Sequence, residues 1–142
     1  MASDIPNKLL LQVVSADRSL VNELVDEVEI PGSEGYFGVL PGHTPLLALL
    51  GTGELWFRQG TVFNYLAICN GFAEVQPGRV TILAQIAEKA DEIDVARAEA
   101  AKRRAEERLA SEHPDMDYER ARVALMKSLI RLQVAARAGV RG

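Results

Sequence analysis

The sequence is poor in cysteine, histidine and long hydrophobic runs, and each shortage excludes a class of function. Its one cysteine, Cys69, cannot form an internal disulfide. Set in an apolar alternating run, it reads as a small buried hydrophobe rather than a reactive thiol. Histidine occurs at His43 and His113, neither beside a Ser, Cys or Asp arrangement resembling a nucleophilic triad. There is no Gly-x-x-x-x-Gly-Lys-Ser/Thr phosphate loop and no metal-ligand spacing. Glu27 and Glu29 are i, i+2 carboxylates and read as a solvated strand face. The chain is therefore expected to be no enzyme by itself and to hold no metal. No apolar run approaches the roughly 20 residues of a membrane span. The opening Met-Ala-Ser-Asp-Ile-Pro lacks the basic and apolar regions of a signal peptide and is too short and acidic for a transit peptide. A cytosolic chain, or one synthesised inside an organelle, is expected. A net charge of −4 argues against electrostatic binding of nucleic acid.

What is present changes character near Glu88. Before it lie seven of the eight aromatic residues, five of six prolines and nine of eleven glycines. After it Ala, Glu, Arg and Lys dominate. Residues 1–87 carry four basic and nine acidic side chains, whereas residues 88–142 carry twelve and eleven. Two domains meeting at that point are expected, 1–87 and 88–142.

The first half has strand periodicity. Val28 and Ile30 alternate with Glu27 and Glu29; Val62, Leu66 and Ile68 share a parity; Val80, Ile82, Ala84 and Ile86 alternate with Thr81, Leu83 and Gln85. Runs of five to eight residues of this kind are half-buried or buried strands. Gly51-Thr-Gly53, Gln59-Gly60, Asn70-Gly71 and Pro77-Gly78 are read as the turns between them. Many short strands with frequent turns predict an antiparallel β-sandwich or flattened barrel.

The second half has helix periodicity. Asp91 is a candidate N-cap with Asp94 three residues on. That helix should run to about Ser111, where His113-Pro114-Asp115 stops it. Asp117 should cap a second helix ending near Gly139. So short a connection predicts an antiparallel two-helix hairpin. Ala98, Ala101, Ala105 and Leu109 form a stripe on the first helix, facing Ala121, Leu125, Ser128, Leu132 and Ala135 on the second. Small residues bury little area, so the seam should be weaker than a leucine core. A further row, Val123, Met126, Ile130 and Val134, needs another surface to cover it. The second helix also concentrates positive charge: Arg120, Arg122, Lys127, Arg131, Arg137 and Arg141 against one acid, Glu119.

The densest signal is Glu29-Ile-Pro-Gly-Ser-Glu-Gly-Tyr-Phe-Gly-Val-Leu-Pro-Gly-His43. Gly32, Gly35 and Gly38 mark backbone that needs positive φ or close approach to another chain. With Tyr36, Phe37, Val39 and Leu40 among them, the stretch reads as a shaped loop and strand.

The run GSEGYFGVLPGHTPLL, with Ile93-Asp94-Val95-Ala96-Arg97-Ala98 further on, resembles the ε subunit of F-type ATP synthases over nearly the whole chain. The resemblance implies a non-catalytic rotor subunit that links the central γ shaft to the membrane c-ring. It would couple proton translocation to ATP synthesis and restrain ATP hydrolysis through its C-terminal helices. It implies a peripheral place on the cytoplasmic side of the bacterial inner membrane, a plastid-encoded thylakoid protein being the alternative. It also places ring contacts at Ser33, Glu34, Tyr36 and His43, although some relatives carry an acidic residue where Tyr36 stands. In ATP-binding members, Ile-Asp-x-x-Arg-Ala forms part of a regulatory nucleotide site. Ile93, Asp94, Arg97 and Ala98 match that motif, and Glu88, Arg104 and Arg131 match further contacts. Lys127 stands where those members carry arginine and offers a point charge in place of a bidentate fork. No cofactor is implied as a requirement. Contacts that block hydrolysis would be made by Arg122, Lys127 and Arg131 on the α and β subunits of the catalytic head. Without the resemblance, the same residues fit a free-standing β-sandwich binding module with a coiled-coil adaptor, or a soluble ATP sensor.

Overall fold

The computed structural model describes residues 5–111 and 117–139. The chain forms two compact units, Met1–Lys89 and Ala90–Gly142. The first is a seven-stranded sheet: β1 (Leu9–Val14), β2 (Ser19–Val25), β3 (Glu27–Gly32), β4 (Gly35–Val39), β5 (Leu46–Gln59), β6 (Val62–Gln76) and β7 (Arg79–Lys89). Its order is β2-β1-β7-β6-β5-β3-β4. All the pairings are antiparallel except that of β1 with β7, which is parallel, Leu11 lying opposite Val80 and Val13 opposite Ile82. That contact joins the two ends of the unit's sequence, where no tight turn imposes an antiparallel partner.

Alternation places the core. Leu9, Leu11 and Val13 on β1, Val28 and Ile30 on β3, and Val80 and Ile82 on β7 are buried within one apolar cluster. Every member of that cluster falls between Leu9 and Ala87. The sheet unit therefore contains a complete hydrophobic core of its own.

Three strands run longer than the expected five to eight residues: β5 has 14, β6 has 15 and β7 has 11. Gly51-Thr-Gly53 and Asn70-Gly71 are not turns, as the spacing predicted, but lie inside β5 and β6. They mark a crease. Around the crease in β6, residues 66–69 are all buried, but those belonging to the apolar cluster are Leu66 and Ile68 before it and Ala73 and Val75 beyond it, so the parity facing that cluster switches. Parity switches likewise in β5, from Leu50 to Leu55 and Phe57. A strand that bends from one layer of a sandwich to the other must do this, and glycine permits the bend. At Asn70 and Gly71 φ is 58° and 129°. A Cβ on Gly71 would collide with the Leu83 carbonyl oxygen and lie 3.0 Å from the Ala84 Cα. Of the other two expected turns, Pro77-Gly78 joins β6 to β7, while the one at Gln59-Gly60 falls a residue later, at Gly60-Thr61, with Gln59 ending β5.

The expected division at Glu88 falls inside β7, where Glu88 pairs with Ala67 and Lys89 with Leu66. The second unit starts with a 3-10 turn, Ala90–Glu92, followed by α1 (Val95–Ala110) and α2 (Tyr118–Gly139). Asp94, not Asp91, caps α1: its carboxylate accepts from the Arg97 amide at 3.1 Å. Asp91 belongs to the 3-10 turn, which precedes the true helix start. The stop at His113-Pro114-Asp115 lies outside the described residues. Asp117 caps α2 by accepting from the Arg120 amide at 3.1 Å. The two helices pack together as a hairpin, and the Tyr118 hydroxyl donates to the Ser111 carbonyl at 2.7 Å across its closed end. The seam is the small-residue stripe: Ala98, Ala105, Ala121 and Ser128 are buried. Of the further row on α2, Val134 is buried, Val123 and Ile130 are half-buried and Met126 is exposed. Cys69 is buried, 3.3 Å from the Thr52 hydroxyl.

Candidate functional site

The glycine-rich segment folds as a hairpin. Pro31 pairs with Tyr36 and Gly32 with Gly35, which leaves Ser33 and Glu34 as a two-residue exposed tip. Gly35 takes φ 129°, and a Cβ on Gly32 would lie 2.8 Å from the Gly35 carbonyl oxygen. Gly38 meets neither expected condition: its backbone is ordinary and its Cβ position is open. Tyr36 is half-exposed, yet its hydroxyl is engaged, accepting from the Glu54 amide at 3.0 Å. His43 sits apart from this hairpin in sequence, in the following turn. The Gly42 amide of that turn donates to the Pro77 carbonyl at 2.8 Å, and the His43 Nδ1 lies 2.6 Å from the Thr44 carbonyl oxygen. Of the four candidate ring-contact residues, Ser33, Glu34 and Tyr36 share one hairpin and His43 belongs to a neighbouring turn.

A second surface was not singled out by the sequence pattern. Leu49 pairs with Phe72, and Phe72 with Leu83, across three adjacent strands. Directly opposed residues project from the same face, and all three are about half-exposed. Leu47, two residues before Leu49, extends the row and is the most exposed large apolar side chain in the described residues. A contiguous apolar row on the outside of a finished core is the usual mark of an interaction surface. The sequence signal was the apolar run Leu46 to Leu50, of which Leu50 alone is buried.

The polar edge of the sheet is organised around Asp26. Its carboxyl titrates below the ordinary value because the Gly60 amide donates to it, Lys8 bonds to it, and Arg58 adds positive charge. Arg58 also donates to Glu27 at 2.7 Å. Glu27 is thus half of an ion pair and not simply a solvated strand residue.

The helical unit positions the expected nucleotide residues unequally. Ile93 and Ala98 are buried, while Asp94, Arg97 and Arg104 are exposed. Asp94 spends one carboxylate oxygen on the helix cap. Arg97 and Arg104 are seven residues apart, so they share a face of α1, and among the described residues neither guanidinium is in an ion pair. On α2, Lys127 and Arg131 are half-buried, and Arg131 has a partner. Glu88 belongs to the sheet unit, in β7. Arg122 pairs with Glu119 at 2.9 Å, whereas Arg141 lies outside the described residues. Among the described residues, no group of three His, Cys, Asp or Glu is placed to hold a metal, and no helix is long and apolar enough to cross a membrane.

Residues 8–90 match the ATP synthase delta/epsilon chain β-sandwich domain, and residues 91–136 match the long α-helix domain of the same chain. The chain belongs to the ATP synthase delta/epsilon family. A relative named ATP synthase epsilon chain, from Syntrophobacter fumaroxidans, is 48% identical over 128 residues, covering 90% of this chain and 96% of its own. Another, epsilon chain 2 of Syntrophotalea carbinolica, is 47% identical over 133 residues, covering 93% and 96%. Among solved structures, a chain of the Euglena gracilis mitochondrial ATP synthase OSCP/F1/c-ring assembly superposes with a TM-score of 0.79 at 26% identity. That match covers 96% of this chain and 84% of the other. A chain of the Tetrahymena thermophila mitochondrial ATP synthase central stalk and c-ring shares the fold, with a TM-score of 0.53 at 14% identity, covering 94% and 98%. The delta/epsilon division into β-sandwich and long helices thus follows the two units seen here, and the family boundary at residue 90 lies next to the end of β7.

Proposed function

We propose that this chain is a non-catalytic rotor subunit of an F-type ATP synthase. It joins the γ shaft to the membrane c-ring and is held at the membrane peripherally, through the complex. The observation that carries this reading is the exposed Leu47, Leu49, Phe72 and Leu83 row on a sheet whose core is already complete. Burying one large apolar side chain contributes about 1.5–3 kcal/mol. A row of four is enough for a lasting attachment, and a central shaft is the partner proposed for it. The Ser33–Glu34 tip serves as the contact with polar loops of the ring. Torque passed between shaft and ring then crosses a rigid sheet, which couples proton translocation to ATP synthesis.

The helical unit acts as the brake on hydrolysis. Its second helix offers Arg122, Lys127 and Arg131 together with exposed Met126 and Leu129, a basic and apolar surface suited to acidic segments of the catalytic α and β subunits. Regulatory ATP binds to the helical unit through Arg97 and Arg104 of α1, which make no ion pair among the described residues, with Lys127 and Arg131 of α2 contributing. Guanidiniums outside ion pairs are available to phosphate oxygens.

The test is reconstitution. Added to a synthase depleted of this subunit, the chain should rebind with γ and the ring and restore proton-coupled ATP synthesis. Its failure to associate with either would favour a free-standing binding module or a soluble ATP sensor.

A further inference from the structure

Strands β3 and β5 pair regularly through Glu27–Arg58, Val28–Phe57 and Glu29–Trp56, then resume only at Gly32–Leu50. Between those points two residues of β3, Ile30 and Pro31, face five of β5, Gly51 to Leu55. The Glu54 amide falls in the stretch that lacks pairing to β3, although Glu54 lies opposite Ala67 of β6, on a residue just 6% exposed. A buried amide without a partner is costly. The partner it has is a side chain, the Tyr36 hydroxyl, at 3.0 Å. Tyr36 lies opposite Pro31 on β4, so its ring crosses β3 to reach β5. The slot it enters is made by glycine: a Cβ on Gly53 would lie 2.6 Å from the Pro31 Cβ and would strike the Tyr36 oxygen.

We propose that Tyr36 is a positioning residue, latching the β3–β4 hairpin to β5 where strand pairing lapses and thereby fixing the Ser33–Glu34 tip. The phenol replaces a ladder hydrogen bond that the extra residues of β5 remove. Its hydroxyl oxygen is held at β5 by the Glu54 amide, away from the tip, where the exposed polar side chains are those of Ser33 and Glu34. The role in docking rests on the ring-contact reading above, whereas the latch itself does not. The latch also gives Gly53 a task distinct from that of Gly71. Gly53 admits a side chain, and Gly71 admits neighbouring backbone.

Two measurements test this on the full chain. Tyr36→Phe keeps the ring and removes the hydroxyl. Amide exchange at Glu54, followed by NMR, should accelerate on the order of tenfold, with Leu11 and Ile82 on the β1–β7 side unchanged. Gly53→Ala, which denies the phenol its slot, should accelerate the same amide. The second measurement is a double-mutant cycle on the affinity for a synthase depleted of this subunit. Tyr36→Phe and Glu34→Gln should each weaken binding severalfold, and the double variant should be no weaker than Glu34→Gln alone. Additive losses would make Tyr36 a direct contact and overturn the positioning role. Unchanged exchange at Glu54 would overturn the latch. Accelerated exchange with no affinity change in either single variant would overturn the ring-contact reading and leave the latch as a bond within the sheet.

Discussion

The Asp26 carboxylate accepts a 2.6 Å hydrogen bond from the backbone amide of Gly60, 34 residues further along the chain. The same carboxylate is bonded by Lys8, and its own amide donates to the Arg58 carbonyl at 2.8 Å. One side chain therefore fastens the β2–β3 corner to the β5–β6 turn.

Acid should loosen that fastening. The Gly60 amide, Lys8 and Arg58 lower the Asp26 pKa below 3.8, so its folded value is depressed relative to the unfolded chain. Its stabilising contribution is present above the unfolded value and is lost as pH falls through the folded one. Urea denaturation at about pH 6 should find Asp26→Asn less stable than the parent, and the gap should narrow as pH falls through and below the ordinary carboxylate range. A gap that stays constant with pH would mean that the carboxylate's charge contributes nothing.

The glycines should separate sharply under alanine substitution. Gly71→Ala must place a side chain at φ 129° and against the Leu83 carbonyl, so it should cost about 3 kcal/mol or more. Gly38→Ala enters open space with ordinary φ and should change stability by less than about 0.5 kcal/mol. Equal losses from chemical denaturation would contradict the assignment of the crease to Gly71.

Local pattern carried much of the fold. The parity of Val80, Ile82 and Ala84, the Pro77-Gly78 turn, the Asp117 cap and the alanine seam were all legible because each depends on neighbours in sequence. Gly51-Thr-Gly53 and Asn70-Gly71 misled for a physical reason. A glycine that lets a strand cross between layers has the same local chemistry as one that ends a strand, and what separates them comes from other strands: the Leu83 carbonyl at Gly71, Tyr36 and Pro31 at Gly53. The parallel β1–β7 contact was likewise invisible, since no local signal records pairing between the ends of a domain. For the site, Asp94 and Arg97 were legible as a motif. The Leu49–Phe72–Leu83 row was not, because three residues on three strands become neighbours only through register.

Nucleotide binding can be separated from helix capping. Asp94 holds the α1 N-terminus, so Asp94→Ala should cost about 1 kcal/mol of helical stability whether or not ATP binds. Arg97→Ala leaves the cap amide in place and removes a guanidinium that makes no ion pair among the described residues. Isothermal titration of ATP into the full chain should show weaker binding for Arg97→Ala, and Lys127→Arg should tighten it by offering a second fork. No heat at about millimolar ATP, some −4 kcal/mol on the affinity scale, would return this face of α1 to solvent.

Charge on α2 should act on hydrolysis in a salt-dependent way. Reversing Arg122, Lys127 and Arg131 in the assembled synthase should raise ATP hydrolysis, and by less at high ionic strength, where exposed charges are screened within about 10 Å or less. Arg122 should contribute less than Lys127, because Glu119 already neutralises it at 2.9 Å. Hydrolysis that does not respond to these reversals would assign the brake to the apolar side chains Met126 and Leu129.

The central claim is a division of labour: the sheet unit couples and the helical unit restrains. Ending the chain at Lys89 keeps the whole of β7 and all of the apolar cluster. The most direct measurement compares proton pumping and ATP hydrolysis by synthase reconstituted with residues 1–89 against synthase with the full chain. The account predicts a folded fragment, retained proton pumping and faster ATP hydrolysis. A fragment that folds yet leaves pumping uncoupled, or leaves hydrolysis at the rate of the full chain, would contradict it.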